Sequence, residues 1–243
     1  GSAQKRWHRT NGGDKEQTGQ IMEAKRILST KKLLPNQKQF LLNAGLSVIE
    51  ADFITVQYTP FQFKAICQNL IFTSQNAVIS FLKQDESRKY INHPVFCVGN
   101  KTKETAENAG YTVAAVADYG EELAHIIVNG YADRSFTFFS GSLRRDILPE
   151  ALANAGITFN EIEVYQTILS PHKINTPLDG ILFYSPSGIE SYLRENSISD
   201  EVCFCIGKTT AEALKGVAGN IVIATKPSVE NVIIQCINYF KNM

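Results

Sequence analysis

The chain has 243 residues, 44% of them hydrophobic and 20% charged, enough for one large or two modest globular domains around a substantial core. Lys and Arg number 24 and Asp and Glu 24, so the formal net charge is zero, which excludes the diffuse basic field of a nonspecific nucleic-acid binder and leaves any charged ligand to a local patch. No apolar run approaches the roughly 18 residues of a membrane span, and a soluble protein is expected.

Residues 1–20, GSAQKRWHRTNGGDKEQTGQ, contain one Trp and almost no aliphatic side chains. They resemble a cloning scar with a polar tail rather than a signal peptide, and their poverty in apolar groups predicts disorder; a native basic arm that binds anions is the other reading. From Arg26, RILST predicts a strand, and the stretch after it predicts a helix closed by Asn43-Ala44-Gly45. Ile54-Thr55-Val56 is a short β-branched run. LIFTSQNAVISFL from Leu70 predicts a strand, a turn at Thr73-Ser74-Gln75-Asn76 and a helix; VFCVGNKTKETAENAG from Val95 predicts the same around Gly99-Asn100-Lys101-Thr102. Asp118 with Glu121 offers a capped start for a helix carrying Leu123, Ile126 and Ile127.

The same succession then recurs. FTFFS from Phe136 predicts a strand, followed by the turn Ser140-Gly141-Ser142, by Arg144 and Arg145, and by a helix that closes at Asn154-Ala155-Gly156, 111 residues after its counterpart. ILFYSPSGIESYL from Ile181 matches the segment from Leu70 at the same offset, and CFCIGKTTAEALKGVAG from Cys203 matches the segment from Val95 at an offset of 108. Residues 24–133 and 134–243 therefore read as two copies of one unit, each alternating strands and helices in the manner of a parallel sheet covered by helices. Ser187 with Glu190 and Thr209 with Glu212 fit capping boxes. Cys203 and Cys205 share one face of a strand, where packing suits them better than metal ligation. The five cysteines (Cys67, Cys97, Cys203, Cys205, Cys236) show no CxxC spacing, so neither a disulfide framework nor a zinc ribbon is indicated and a reducing cytoplasm is expected.

Chemistry is expected where strands run into helix N-termini, since one edge of an open parallel sheet collects those ends. Five small-residue turns qualify: Thr73 to Asn76, Gly99 to Thr102, Ser140 to Ser142, Ser185 to Gly188, and Gly207 through Lys208 and Thr209 to Thr210. Their unpaired amides favour carboxylate or phosphate, although each hydroxyl could equally serve as a helix cap. There is no GxGxxG after a strand, no GxxxxGK[ST], GxSxG or HExxH, and the four His residues are scattered. Pattern alone thus yields a duplicated α/β protein with anion-binding strand ends. It suits an enzyme, and equally a noncatalytic two-lobed protein closing on an anionic metabolite.

IFTSQNAV, VGNKT, GSLRRDIL, EVYQT, FYSPSGIES and IGKTTAEAL, in this order and spacing, resemble the motif series of the uroporphyrinogen-III synthase family from about Ile27 to the C-terminus. The chain departs from the family in having Thr30-Lys31 where Thr-Arg is frequent and Gln75-Asn76 where Pro-Arg is frequent. The resemblance implies two flavodoxin-like α/β domains with parallel sheets, joined by a two-stranded linker, with the active cleft between them. Residues 24–52 with 169–243 would form one discontinuous domain, 58–163 the other, and 53–57 and 164–168 the linker strands. It implies cyclisation of hydroxymethylbilane, with inversion of the last pyrrole ring and loss of water, without cofactor or metal; the lack of a heptad seam predicts a monomer, and charge and hydropathy predict neither a nucleic-acid nor a membrane partner. Tyr165, matching the family's VYQT tyrosine, is the implied proton donor. Thr73, Ser74, Asn76, Gly99, Lys101, Thr102, Ser140, Gly141, Ser185, Ser187, Gly188, Lys208, Thr209 and Thr210 are the expected substrate-binding residues, with Lys31 and Arg144 as further cations.

Overall fold

The structure, a computed structural model, describes residues 23–242; the tail expected at residues 1–20 lies outside them. In chain order the first elements are β1 (Arg26–Ser29), α1 (Pro35–Asn43), β2 (Ser47–Glu50), β3 (Ile54–Tyr58), β4 (Asn69–Phe72), α2 (Gln75–Leu82), β5 (Val95–Val98), α3 (Asn100–Asn108), β6 (Val113–Ala117) and α4 (Gly120–Gly130). There follow β7 (Phe136–Gly141), α5 (Ile147–Asn154), β8 (Phe159–Leu169), β9 (Gly180–Phe183), α6 (Pro186–Leu193), β10 (Val202–Cys205), α7 (Lys208–Glu212), β11 (Asn220–Ile223) and α8 (Val229–Lys241).

The described strands form two sheets, one in the order β11-β10-β9-β1-β2 and one in the order β3-β8-β7-β4-β5-β6. The first is parallel throughout, and the second is parallel except where β3 meets β8. The fold is therefore the mixed α/β class with parallel sheets that the strand and helix alternation predicts. Each sheet draws strands from both repeats: β9, β10 and β11 of the second join β1 and β2 of the first, while β3, β4, β5 and β6 of the first join β7 and β8 of the second.

β4, β9 and β10 are buried along their whole length, as central strands covered on both faces must be. Successive side chains serve opposite cores. In the five-stranded sheet Ile27, Leu182 and Phe204 pack with Val232 and Cys236 of α8, whereas Leu28, Ile181 and Cys203 pack with Ile189 of α6 and Leu214. In the six-stranded sheet Leu70, Phe72 and Phe139 face Phe81 of α2; Ile71, Phe96 and Phe138 face Leu123, Ile127 and Leu152. Cys203 and Cys205 lie on the same face, and burial pushes both thiols up to about 12, which makes them packing groups rather than thiolates.

β8 changes partner along its length. It runs parallel to β7 from Phe159 to Tyr165 and then antiparallel to β3 from Tyr165 to Leu169. The crossing segment is thus β3 against the second half of a strand that already belongs to the six-stranded sheet. Tyr165 sits at the changeover, registered with both Gly141 and Tyr58.

Three helix starts differ from the sequence expectation. The α6 cap is Ser185, whose Oγ accepts the Gly188 amide at 3.0 Å, because Pro186 fixes the first helical residue ahead of Ser187; Ser187 bonds Ser185 instead, and Glu190 pairs with Arg194. The box expected at Thr209 and Glu212 does not form, since α7 begins on Gly207 without a side-chain cap and Thr209 already lies in its first turn. At α4 the cap position is Tyr119, and the Glu122 carboxylate, rather than Glu121, accepts the Asp118 amide at 3.2 Å.

Asp179, just before β9, ties that strand to β1: its carboxylate accepts the Arg26 amide at 2.8 Å and the Lys25 ammonium at 2.9 Å. Burial opposes ionisation there, but the Arg26 amide and Lys25 outweigh it and hold the carboxyl below its usual range. A depressed pKa contributes stability that is present above the unfolded value of about 3.9 and lost as pH falls through the folded value. Urea midpoints measured from pH 6 down to pH 2 should show this loss in the parent, and Asp179→Asn should lower the midpoint at pH 6 while flattening its acid dependence.

Candidate active site

The turns at the C-terminal ends of the two sheets face each other. Gly207, at the end of β10, lies so close to Tyr119 that a Cβ there would stand 3.1 Å from the phenol oxygen, and Lys208 Nζ lies 5.9 Å from the centroid of the same ring. Lys101, in the first turn of α3, pairs with Glu230 in the first turn of α8 at 3.3 Å. Beside the Lys101–Glu230 pair opens a recess of about 410 Å³ whose lining includes Lys31, Lys32, Gln37, Gln75, Lys101 and Glu104.

Charge in the recess is local and positive. Burial and the neighbouring Lys101 lower the pKa of Lys31, against the opposite pull of Asp52 and Glu230. Its ammonium lies 5.7 Å from the centroid of the Tyr184 ring. An anion entering here offsets the repulsion between Lys31 and Lys101 and so opposes the lowering. Glu230, which also accepts the Gln37 amide at 2.6 Å, supplies the carboxylate now nearest to Lys101.

The helix starts divide into two kinds. Ser74 and Ser185 cap α2 and α6, accepting the amides of Ala77 and Gly188 at 3.1 and 3.0 Å. α3 and α7, at matching places in the two repeats, start on Gly99 and Gly207 with no side-chain cap. Gly99 has φ +86°, a conformation glycine adopts without strain. The first-turn amides of Asn100, Lys101 and Thr102, and of Lys208, Thr209 and Thr210, are thus left to solvent or ligand. The Thr102 and Thr210 side chains are buried beneath these turns.

Tyr165 is half-buried beside the α2 start. Ser74 Oγ donates to its phenol oxygen at 2.9 Å. Its ring lies over Gly141: a Cβ on that residue would fall 2.3 Å from Cζ and 2.6 Å from the hydroxyl oxygen, so the position admits only glycine. Burial raises the phenol pKa, Ser74 opposes this, and Tyr58 adds to the rise. The phenol therefore keeps its proton throughout the ordinary pH range.

Of the residues expected at the site, Ser74, Gly141 and Tyr165 form one contact group, Lys101 lines the recess, and Thr102, Lys208, Thr209 and Thr210 sit in uncapped first turns. Thr73 and Asn76 flank Ser74 and Gln75, and Ser185, Ser187 and Gly188 form the capped α6 start. Ser140 is turned inward: it is 2% exposed and its hydroxyl donates to Glu161 at 2.7 Å. Arg144 is engaged by Glu161 and Asp146, so that it secures the loop after β7 and is no free cation. Residues that the expected set lacks include Gln75, whose amide reaches Thr105 at 3.1 Å, Tyr119 and Glu230. The last two act across a separation of some 90 to 130 residues (Tyr119 to Gly207, Lys101 to Glu230), and no local pattern marks them.

The profile of the family described as uroporphyrinogen-III synthase HemD matches residues 38–234. A uroporphyrinogen-III synthase of Chlorobaculum parvum is 30% identical over 169 residues, which make up 60% of this chain and 68% of that protein. The crystal structure of uroporphyrinogen-III synthetase from Helicobacter pylori is similar with a TM-score of 0.66 at 22% identity, over 88% of this chain and 99% of that one. A mutant form of the Thermus thermophilus uroporphyrinogen III synthase gives 0.64 at 15% identity, over 90% and 100%.

Gly141→Ala should displace the Tyr165 ring and destabilise the fold by about 1–3 kcal/mol, the usual cost of overpacking. Denaturant titration checks the cost. Near-ultraviolet circular dichroism of the folded variant should report a changed tyrosine environment.

Proposed function

The chain belongs to the uroporphyrinogen-III synthase family, and from that premise we propose that the recess between its two rows of strand ends is where linear hydroxymethylbilane is folded and closed into uroporphyrinogen III. The reaction is a cyclising loss of water with inversion of the last pyrrole ring, which sets aside the noncatalytic binding reading. The observation that carries the placement is the Tyr165 phenol, seated on Gly141 and bonded to Ser74, whose chain neighbour Gln75 lines the lysine-bearing recess.

The substrate carries eight carboxylates. Lys31, Lys32 and Lys101 supply charge for some of them, and the free amides opening α3 and α7 supply directed hydrogen bonds. Holding the chain in one reactive pose is the main task, because the pyrroles provide the electrons; a well-chosen conformer can be worth roughly 7–11 kcal/mol. Tyr165 gives its proton to the terminal hydroxyl as the carbon–oxygen bond breaks and water leaves. The last ring attacks the resulting electron-poor carbon through its substituted position, and the spiro intermediate fragments and recloses at the other side of that ring. No step calls for a metal or organic cofactor.

We read the five-stranded sheet with its helices, residues 24–52 and 169–243, as one lobe and residues 58–163 as the other, with 53–57 and 164–168 as the crossing strands. The sheet membership of β1, β2 and β9 to β11 supports this division. A monomer suits a cleft formed within one chain, and the five free cysteines suit a reducing cytoplasm. Among the described residues no helix is long and apolar enough to cross a membrane.

Freshly generated hydroxymethylbilane incubated with the protein should give the type III isomer on chromatographic separation, whereas type I alone, the spontaneous product, would overturn the reading. Tyr165→Phe should lower kcat roughly 10- to 100-fold, toward the low end of general acid catalysis because the substrate is already reactive. Its KM should stay near the parent value, and type III should remain the product. Undiminished turnover would remove Tyr165 from the proton transfer.

A further inference from the structure

We propose that Ser74 is a positioning residue for the reaction, acting through Tyr165: its hydroxyl donates to the phenol oxygen, so that the phenol's own proton is the one presented to the departing hydroxyl. The inference rests on Tyr165 as proton donor. It changes the part expected of Ser74 from holding substrate to holding the acid.

Hydrogen-bond accounting leads to this assignment. A serine hydroxyl has one proton to donate, and a phenol likewise has one. Ser74 Oγ already accepts the Ala77 amide at 3.1 Å as the cap of α2, which leaves its proton for Tyr165 Oη at 2.9 Å. When the phenol donates to substrate, Ser74 has to be the donor of the bond between them, and the cap fixes its oxygen for that part. The rest of the tyrosine is held independently. Its carbonyl accepts the Ser142 amide at 3.0 Å, its ring rests on Gly141, and its backbone stands where β8 passes from β7 to β3. The ring therefore has a single orientation, and Ser74 selects the direction of the hydroxyl hydrogen.

The same bond serves after proton transfer. As the carbon–oxygen bond of the hydroxymethyl group breaks, both electrons stay with oxygen, which takes the Tyr165 proton and leaves as water. The phenolate left behind accepts a strengthened, charge-assisted bond from Ser74. It recovers its proton from the one the last ring releases on regaining aromaticity. The protein thus ends each turnover as it began, with no external acid or base.

The test places Ser74→Ala, Ser74→Asp and Ser74→Thr in both the parent and the Tyr165→Phe background, with uroporphyrinogen III formation as the rate readout. Ser74→Ala should lower kcat about tenfold, less than the 10²–10³ of a direct oxyanion donor, with KM within about twofold. It should also move the alkaline limb of kcat upward, since the bond it removes lowers the phenol pKa. Asp keeps the cap of α2, so Ser74→Asp should melt near the parent temperature. Its rate should nevertheless fall at least as far, because a carboxylate only accepts and captures the phenol proton. Thr keeps both functions and should restore most of the rate. In the Tyr165→Phe background every Ser74 substitution should change kcat by less than about twofold. Full activity in Ser74→Asp, or losses that persist undiminished in the Phe background, would overturn the role of Ser74 while leaving Tyr165 in place. Full activity in Tyr165→Phe alone would overturn both.

Discussion

Two rows of parallel main-chain hydrogen bonds, β1 with β9 and β4 with β7, hold the molecule together. Each joins one repeat to the other, so neither repeat completes a sheet from its own strands. Without the first row, Ile27 and Leu28 lose the neighbours between which they are buried on the two faces of the five-stranded sheet. Without the second, Phe139 loses its stacking partner Phe72, 5.2 Å away at 13° between planes. The exchange also dictates the path of the chain, which has to pass between sheets once after β2 and once along β8. The antiparallel pairing of β3 with the end of β8 satisfies the backbone of both passages at once.

The duplication and the order of elements were legible because they rest on local chemistry. Strands buried on both faces show as apolar runs, as in residues 70–72 and Val202–Cys205, and the turns that follow them need small residues in either repeat. Ser74 stood out for the same reason, and Tyr165 through its motif. The helix starts were read less well, since a capping pattern specifies spacing but not where the helix begins; Pro186 and Gly207 decide that at α6 and α7. The fates of Ser140 and Arg144 depend on Glu161, about 20 residues away on the neighbouring strand. The contacts of Tyr119 with Gly207 and of Lys101 with Glu230 depend on how distant segments meet, and sequence spacing carries no trace of them.

A chain of zero formal charge can still bind a polyacid because its charges are sorted. Lys31, Lys32 and Lys101 gather at one recess, while Arg144, Arg194 and Lys89 are neutralised by local carboxylates. Lys31 stands where the family often has arginine. An ammonium is a compact point charge that adjusts its protonation when buried, whereas a guanidinium offers a fixed fork. In the proposed placement Lys31 thus gives that corner an adaptable contact, and directional recognition falls to the uncapped amides of α3 and α7.

The exchange of strands bears on synthesis. β1 and β2 leave the ribosome with no partner for their inner edge until β9 emerges, about 130 residues after Glu50. At 5–20 residues per second that interval is on the order of ten seconds. During it β4 through β8 can assemble among themselves, so the six-stranded sheet matures first, and the N-terminal hydrophobic ribbon waits. That waiting ribbon leaves Ile27, Leu28 and Val48 uncovered in the nascent chain until β9 arrives.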